Sequence, residues 1–146
     1  MTRAHACHSE FIACLVLLLI SLSCTTYCEK DLQGTWTGKD AGRHLTMTFN
    51  LDASWNCSIK TAGEKPIVLT GTYEVIFSKH PVPLTIRNIP QLTHPLHTIV
   101  DFITRDQIRI AAFAPRWRTR PVNFNSSGNL VLYRTAATSA STTVGN

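Results

Sequence analysis

Leu32–Gly38 reads LQGTWTG, with Gly34 two residues ahead of Trp36. A large indole at the start of a strand can seal one end of a core. A glycine just before it lets another stretch of backbone come close. Trp36 can do this only if the rest of the chain builds a core around it, and beyond Gly38 the chain is a series of short strands.

His44–Leu51, HLTMTFNL, puts Leu45, Met47, Phe49 and Leu51 on one face and Thr46, Thr48 and Asn50 on the other. That is a period of two, the mark of a half-buried strand. SWNCSI continues the alternation with Trp55, Cys57 and Ile59, and DAS between the runs reads as a tight turn, which predicts a hairpin. TAGEKP is a second turn. IVLTGTYEVIF then alternates Ile67, Leu69, Gly71, Tyr73, Val75 and Phe77. Gly71 in mid-strand marks a bend or a close backbone approach. SKHPVP breaks that strand and LTIRNI forms a further short one. PQLTHPLH is a loop. TIVDFIT and IRIAAF flank RDQ as another hairpin. APRWRTRP is a basic loop and NLVLYR is the last strand.

No long segment has a helical period. About eight successive short strands predict an all-β protein, a small antiparallel up-and-down β-barrel, with a sandwich as the alternative. Closure removes the sheet edges that a small all-β protein must otherwise protect. The alternation directs Met47, Phe49, Leu69, Tyr73, Ile103 and Ile110 toward one interior.

The chain has 146 residues, 44% of them hydrophobic and 16% charged. This suits one packed domain and excludes a disordered chain. Phe11–Cys24, FIACLVLLLISLSC, is nearly all apolar, follows Arg3 and ends in small residues. It reads as a secretory signal peptide over 1–23. It falls short of the roughly 20 residues a spanning helix needs, which weighs against a membrane anchor. Removing 1–23 takes away one Arg and one Glu, so the net charge stays at +5. That modest charge keeps a protein soluble and gives no ground for a nucleic-acid partner. The predicted organisation is signal 1–23, linker 24–31, barrel 32–134 and a small, polar, disordered tail 135–146. Localisation would be secreted or in the cell envelope.

Export leaves Cys24, Cys28 and Cys57 of the five cysteines. Cys24 directly after the apolar run is a lipidation candidate and would attach the protein to a membrane. Ser21 stands where such sites usually carry leucine. Cys28 and Cys57 are then disulfide candidates in an oxidising compartment, and the alternative is a buried free Cys57.

In this context Gly34-Thr35-Trp36 and the closing Arg134 resemble the calycin superfamily, in which lipocalins and avidins begin with a Gly-x-Trp strand. The lipocalin resemblance implies that Trp36 plugs the closed end and that Arg134 lies across its face. Such a cation–π contact is worth about 0.5–2 kcal/mol. The layout is also similar to an uncharacterised family of small exported bacterial lipocalin-like proteins. The shared series is Leu32-x-Gly34-x-Trp36, Gly71-Thr72-Tyr73, the strand pair around Asp106, Pro115 and Arg120-Pro121 before Phe124, and Leu130–Arg134. Arg105 stands where that family often has glycine. The resemblance implies fold and carries no activity. Avidins place Asn and Ser after the first tryptophan to hold biotin. Here Gly38 and Arg43 stand near those places, so biotin binding is not expected.

Motifs for catalysis are missing. There is no Gly-x-Ser-x-Gly, no phosphate-cradling glycine loop and no His-Glu-x-x-His. His94 and His97 flank Pro95 in a loop without a supporting ligand cluster, so neither metal nor cofactor is expected. Arg116, Arg118 and Arg120 around Trp117 are anion-binding candidates, the alternative being a solvated loop. Asp101 interrupts an apolar run and needs a partner if it faces inward. Three functions remain open. One is a binding module for a small apolar or amphipathic ligand held inside the barrel. Another is a structural or interaction module of the envelope with a filled barrel. The last is an enzyme whose residues the sequence does not reveal. The expectation is the first, without catalysis.

Overall fold

In a computed structural model, which describes residues 27–113, 120–125 and 128–135, eight antiparallel strands close into a barrel in sequence order. The strands are β1 (Gly34–Asp40), β2 (Arg43–Phe49), β3 (Ser54–Lys60), β4 (Ile67–Val75), β5 (Val82–Arg87), β6 (Leu96–Thr104), β7 (Gln107–Ile110) and β8 (Leu130–Arg134). The seam between β1 and β8 pairs Trp36 with Arg134 and Gly38 with Leu132. Thr135 N extends it by donating to Thr35 O at 2.8 Å. The expected signal segment, Cys24, Arg116, Arg118 and the tail beyond Thr135 lie outside the described residues.

The predicted alternation fills the interior. Leu45, Met47 and Phe49 of β2 are buried, while Thr46 and Thr48 on the other face are partly exposed. Thr48 shares a hydrogen bond with Thr35 across the β1–β2 pair. Up-and-down connectivity sorts the loops between two ends. The turns β2–β3, β4–β5 and β6–β7 lie at one end, and β1–β2, β3–β4, β5–β6 and β7–β8 lie at the other.

The first of these ends is closed. The chain before β1 forms a one-turn helix, α1 (Glu29–Leu32), whose Asp31 carboxylate accepts the Cys28 N–H at 2.8 Å. That hydrogen bond is the main cause holding the Asp31 carboxyl below the usual carboxylate range. Leu32 is buried, and its carbonyl accepts the Trp36 indole N–H at 2.7 Å. Trp36 meets Phe102 edge-on at 6.3 Å, and Tyr27 stacks on Phe102 at 4.4 Å. Each such aromatic pair adds about 0.5–1.5 kcal/mol beyond burial. The segment expected as a linker is therefore part of the plug. One turn is too short to show a period, which is why the sequence did not reveal it.

Two glycines are needed where they stand. Gly34 has φ +119°, and a Cβ there would meet the Arg134 guanidinium; side-chain-bearing residues avoid such a φ. At Gly71 a Cβ would fall on the carbonyl oxygen of Arg87. β5 pairs with β4 only from Thr72 to Val75, and the chain beyond Arg87 folds inward so that buried Ile89 covers Gly71. The close approach read at Gly71 is real.

Two expectations need correction. The break over SKHPVP is shorter than predicted, because Val82 and Pro83 belong to β5. Pro83 lacks an N–H, but its carbonyl accepts Ile76 N and so keeps the β4 side paired. Ile103 does not face the interior. Val100 and Phe102 take the inward face of β6, so Ile103 falls on the outer face with Asp101 and is 46% exposed; it is also left unpaired where the β6–β7 register steps from Phe102–Ile108 to Thr104–Gln107. Asp101 faces outward and takes a hydrogen bond from Arg109 at 2.9 Å.

Candidate functional site

Side chains grow smaller from the closed end to the open one. Trp36, Phe49, Tyr73 and Phe102 fill the closed half, and Phe49 meets Tyr73 edge-on at 5.1 Å. Toward the open end the wall is built from Leu45, Cys57, Ile59, Leu69 and Leu96. These aliphatic groups and a thiol do not span the barrel. A cavity of about 260 Å³ remains, lined also by Met47, Trp55, Ala112, Phe113, Gly128 and Leu130, with Asp40 and Arg43 of the β1–β2 hairpin at its mouth. Small barrels are filled when large side chains point inward. This one is filled at one end and hollow at the other.

The lining is apolar apart from a few groups. Arg43 pairs with Asp40 at the partly exposed mouth. Cys57 is a free thiol in the wall, and burial pushes its pKa up to about 11, so it stays protonated and weakly reactive at neutral pH. The Trp55 indole N–H is buried without a hydrogen-bond partner. Cys28, the other disulfide candidate, is an exposed free thiol at the start of α1, so no bridge joins the two.

Of the residues expected to face a ligand, Met47 and Leu69 line the cavity. Phe49, Tyr73 and Ile110 are interior but belong to the packed core, Tyr73 donating to Asn50 O at 3.0 Å. Leu45, Trp55, Leu96 and Leu130 line the cavity in addition to those expected. For Leu45 and Trp55 the signal was present, since they alternate with Met47 and Cys57. Ala112 and Phe113 come after the end of β7, where no periodicity points to them.

Arg120 has a different role from the one expected. It does not present its charge to an external anion. Its guanidinium donates to Leu84 O at 2.8 Å, Thr98 O at 2.7 Å, Thr85 Oγ1 at 2.7 Å and His97 Nδ1 at 3.3 Å. Those acceptors lie on the outer side of the β5–β6 pair, and Arg120 rivets the chain between β7 and β8 to that wall. Nearby, Arg109 lies 4.2 Å from the Phe124 ring centroid and fastens a second point. Burial, then the charges of Arg120 and Arg87, hold the His97 pKa below its usual value.

Among the described residues, no group of three or more His, Cys, Asp or Glu side chains is placed to hold a metal. No protein-family profile and no curated protein sequence matches the chain.

Proposed function

We propose that this is an exported, non-catalytic binding protein of the lipocalin-like kind, holding one small apolar or amphipathic ligand in the open half of its barrel. The observation that carries this reading is the cavity of about 260 Å³ with its aliphatic wall. Ligand sites are typically apolar hollows with a few placed polar groups. The volume exceeds that of a cavity of roughly 150 Å³ that takes up benzene. It falls just below the roughly 300–1,000 Å³ of drug-sized sites. It suits one ring with a short substituent, or a short alkyl chain. An amphipathic ligand would leave its polar end at Asp40 and Arg43.

Export rests on the Phe11–Cys24 run, and a lipid on Cys24 would place the barrel at a membrane surface. The test is a titration of the full chain with cumene, followed by tryptophan fluorescence, since Trp55 is in the cavity wall. Saturable binding at one site is expected. It should be lost in Cys57→Phe, which fills the hollow. No saturable change would leave the other reading, a structural envelope module whose solid half is its whole purpose.

A further inference from the structure

Among the described residues the cavity wall carries charge at one place, and there it carries both signs. Asp40 and Arg43 form the last rung of the β1–β2 ladder and line the mouth. Ala41 and Gly42 between them have φ +46° and +81°, a two-residue turn of the kind that matches the twist of a hairpin. The alternation that buries Trp36, Leu45 and Met47 also sets Asp40 and Arg43 on the inner face of their strands. Lys39 and Lys60, on the neighbouring positions of β1 and β3, are exposed and are not part of the wall. Arg43 donates to Asp40, and their side chains are 47% and 33% exposed, so the pair stands in contact with solvent.

This pair decides what a head group left at the mouth can be. A carboxylate beside Arg43 is also beside the like charge of Asp40, and an ammonium beside Asp40 meets Arg43 in the same way. Either ion must separate the pair or bear the repulsion of one member. It also sheds water on the side turned toward the aliphatic wall. A hydroxyl or a carboxamide meets neither obstacle. Each such group both donates and accepts, so it suits a carboxylate and a guanidinium standing together and leaves their charges matched. Farther in, the lining is aliphatic, aromatic or sulfur-bearing and has no second charge to hold an ion.

We infer that the ligand of this cavity is an alkyl or aryl compound with one uncharged head, of the alcohol or amide kind, and that the Asp40–Arg43 pair selects it against carboxylates and amines. This rests on the proposed ligand binding and narrows it from amphipathic compounds at large to neutral-headed ones.

Hexan-1-ol, hexanoate and hexylammonium test it at neutral pH, because they share a chain and differ in charge. Each is titrated into the full chain and into Asp40→Asn and Arg43→Gln, which remove one charge and keep a hydrogen-bonding group. Binding is read from the Met47 methyl resonance. The wild-type chain should bind hexan-1-ol at least about threefold more tightly than either ion. Asp40→Asn should tighten hexanoate about three- to tenfold, and Arg43→Gln should do the same for hexylammonium, while hexan-1-ol moves less than about twofold in both. That steady hexan-1-ol affinity also shows that each variant keeps its fold. If an ion binds the wild-type chain as tightly as hexan-1-ol, or if neither variant changes the ranking of the three, selection by Asp40 and Arg43 is overturned while ligand binding stands. If none of the three binds the wild-type chain, the ligand-binding reading and this inference fall together.

Discussion

The guanidinium of Arg134 lies 4.2 Å from the centroid of the Trp36 ring, across the seam where β8 meets β1. The same group donates to Gln33 O at 2.7 Å and Asp31 O at 2.5 Å, and its Nη2 lies 3.2 Å from Arg105 O. One side chain thus joins the last strand, the chain leading into the first, and the β6–β7 turn. Trp36→Ala should cost about 3–5 kcal/mol in urea unfolding, typical of a large aromatic lost from a core. Arg134→Lys keeps the charge but loses the planar fork, and should cost about 1–3 kcal/mol. A loss below measurement error for Trp36→Ala would show that the closed end is not held by this pair.

Gly71→Ala should destabilise the barrel by about 1–3 kcal/mol, the usual range for overpacking. A methyl there would meet the Arg87 carbonyl and the Ile89 side chain. Both would have to move outward, opening the wall beside the cavity. Thermal unfolding of the variant checks it, and unchanged stability would contradict the close approach.

His97 should make the fold acid-sensitive. Its Nδ1 accepts from Arg120, and Thr85 Oγ1 lies 3.3 Å away. Protonation would replace that acceptor with a charge facing Arg120, with Arg87 adding to the repulsion. The folded-state pKa lies below the unfolded value near 6.5. The unfolded chain therefore binds the proton first, and stability falls as pH drops from about 6.5 through the folded pKa. Above pH 6.5 there is no penalty. His97→Asn, which can still accept from Arg120, should flatten the stability profile between pH 7.5 and 5. An equal slope in both proteins would exclude His97 as the cause. Asp31 and Asp52 act in a lower window, because their folded pKa values are lowered from 3.8.

The two thiols among the described residues should separate by reactivity. Exposed Cys28 should be alkylated rapidly at pH 8, while Cys57, with a pKa of about 11, keeps only about one thiolate in a thousand. Peptide mapping after brief alkylation distinguishes them. Recovery of a Cys28–Cys57 disulfide, or fast modification of Cys57, would contradict the structure.

Much of the barrel was legible in the sequence because burial on one face forces an apolar–polar alternation, as Leu45, Met47 and Phe49 show against Thr46 and Thr48. Gly34, Trp36 and Gly71 marked close approaches for the same kind of local reason. Ile103 misled because β6 carries apolar residues on both faces, so the alternation leaves open which face is inward; Val100 and Phe102 take it and Ile103 falls on the outer one with Asp101. Arg120 misled because a cationic loop looks the same in sequence whether its acceptors are solvent, an external anion or the barrel's own carbonyls. The cavity itself was hidden. Volume depends on which inward side chains face each other across the barrel, and Leu45, Trp55, Leu69 and Leu130 meet there only after closure.

The central claim is that the open half of the barrel receives a small apolar molecule, and methyl labelling tests it directly. The chain has two methionines, Met1 and Met47, and Met47 lines the cavity. With both methyl groups labelled, cumene should shift the Met47 resonance saturably, with one site per chain, and leave Met1 in place. The Cys57→Phe variant should lose the shift while unfolding at the same or a higher temperature. A Met47 signal that stays still, or one that moves in linear step with Met1 as cumene is added, would contradict the account.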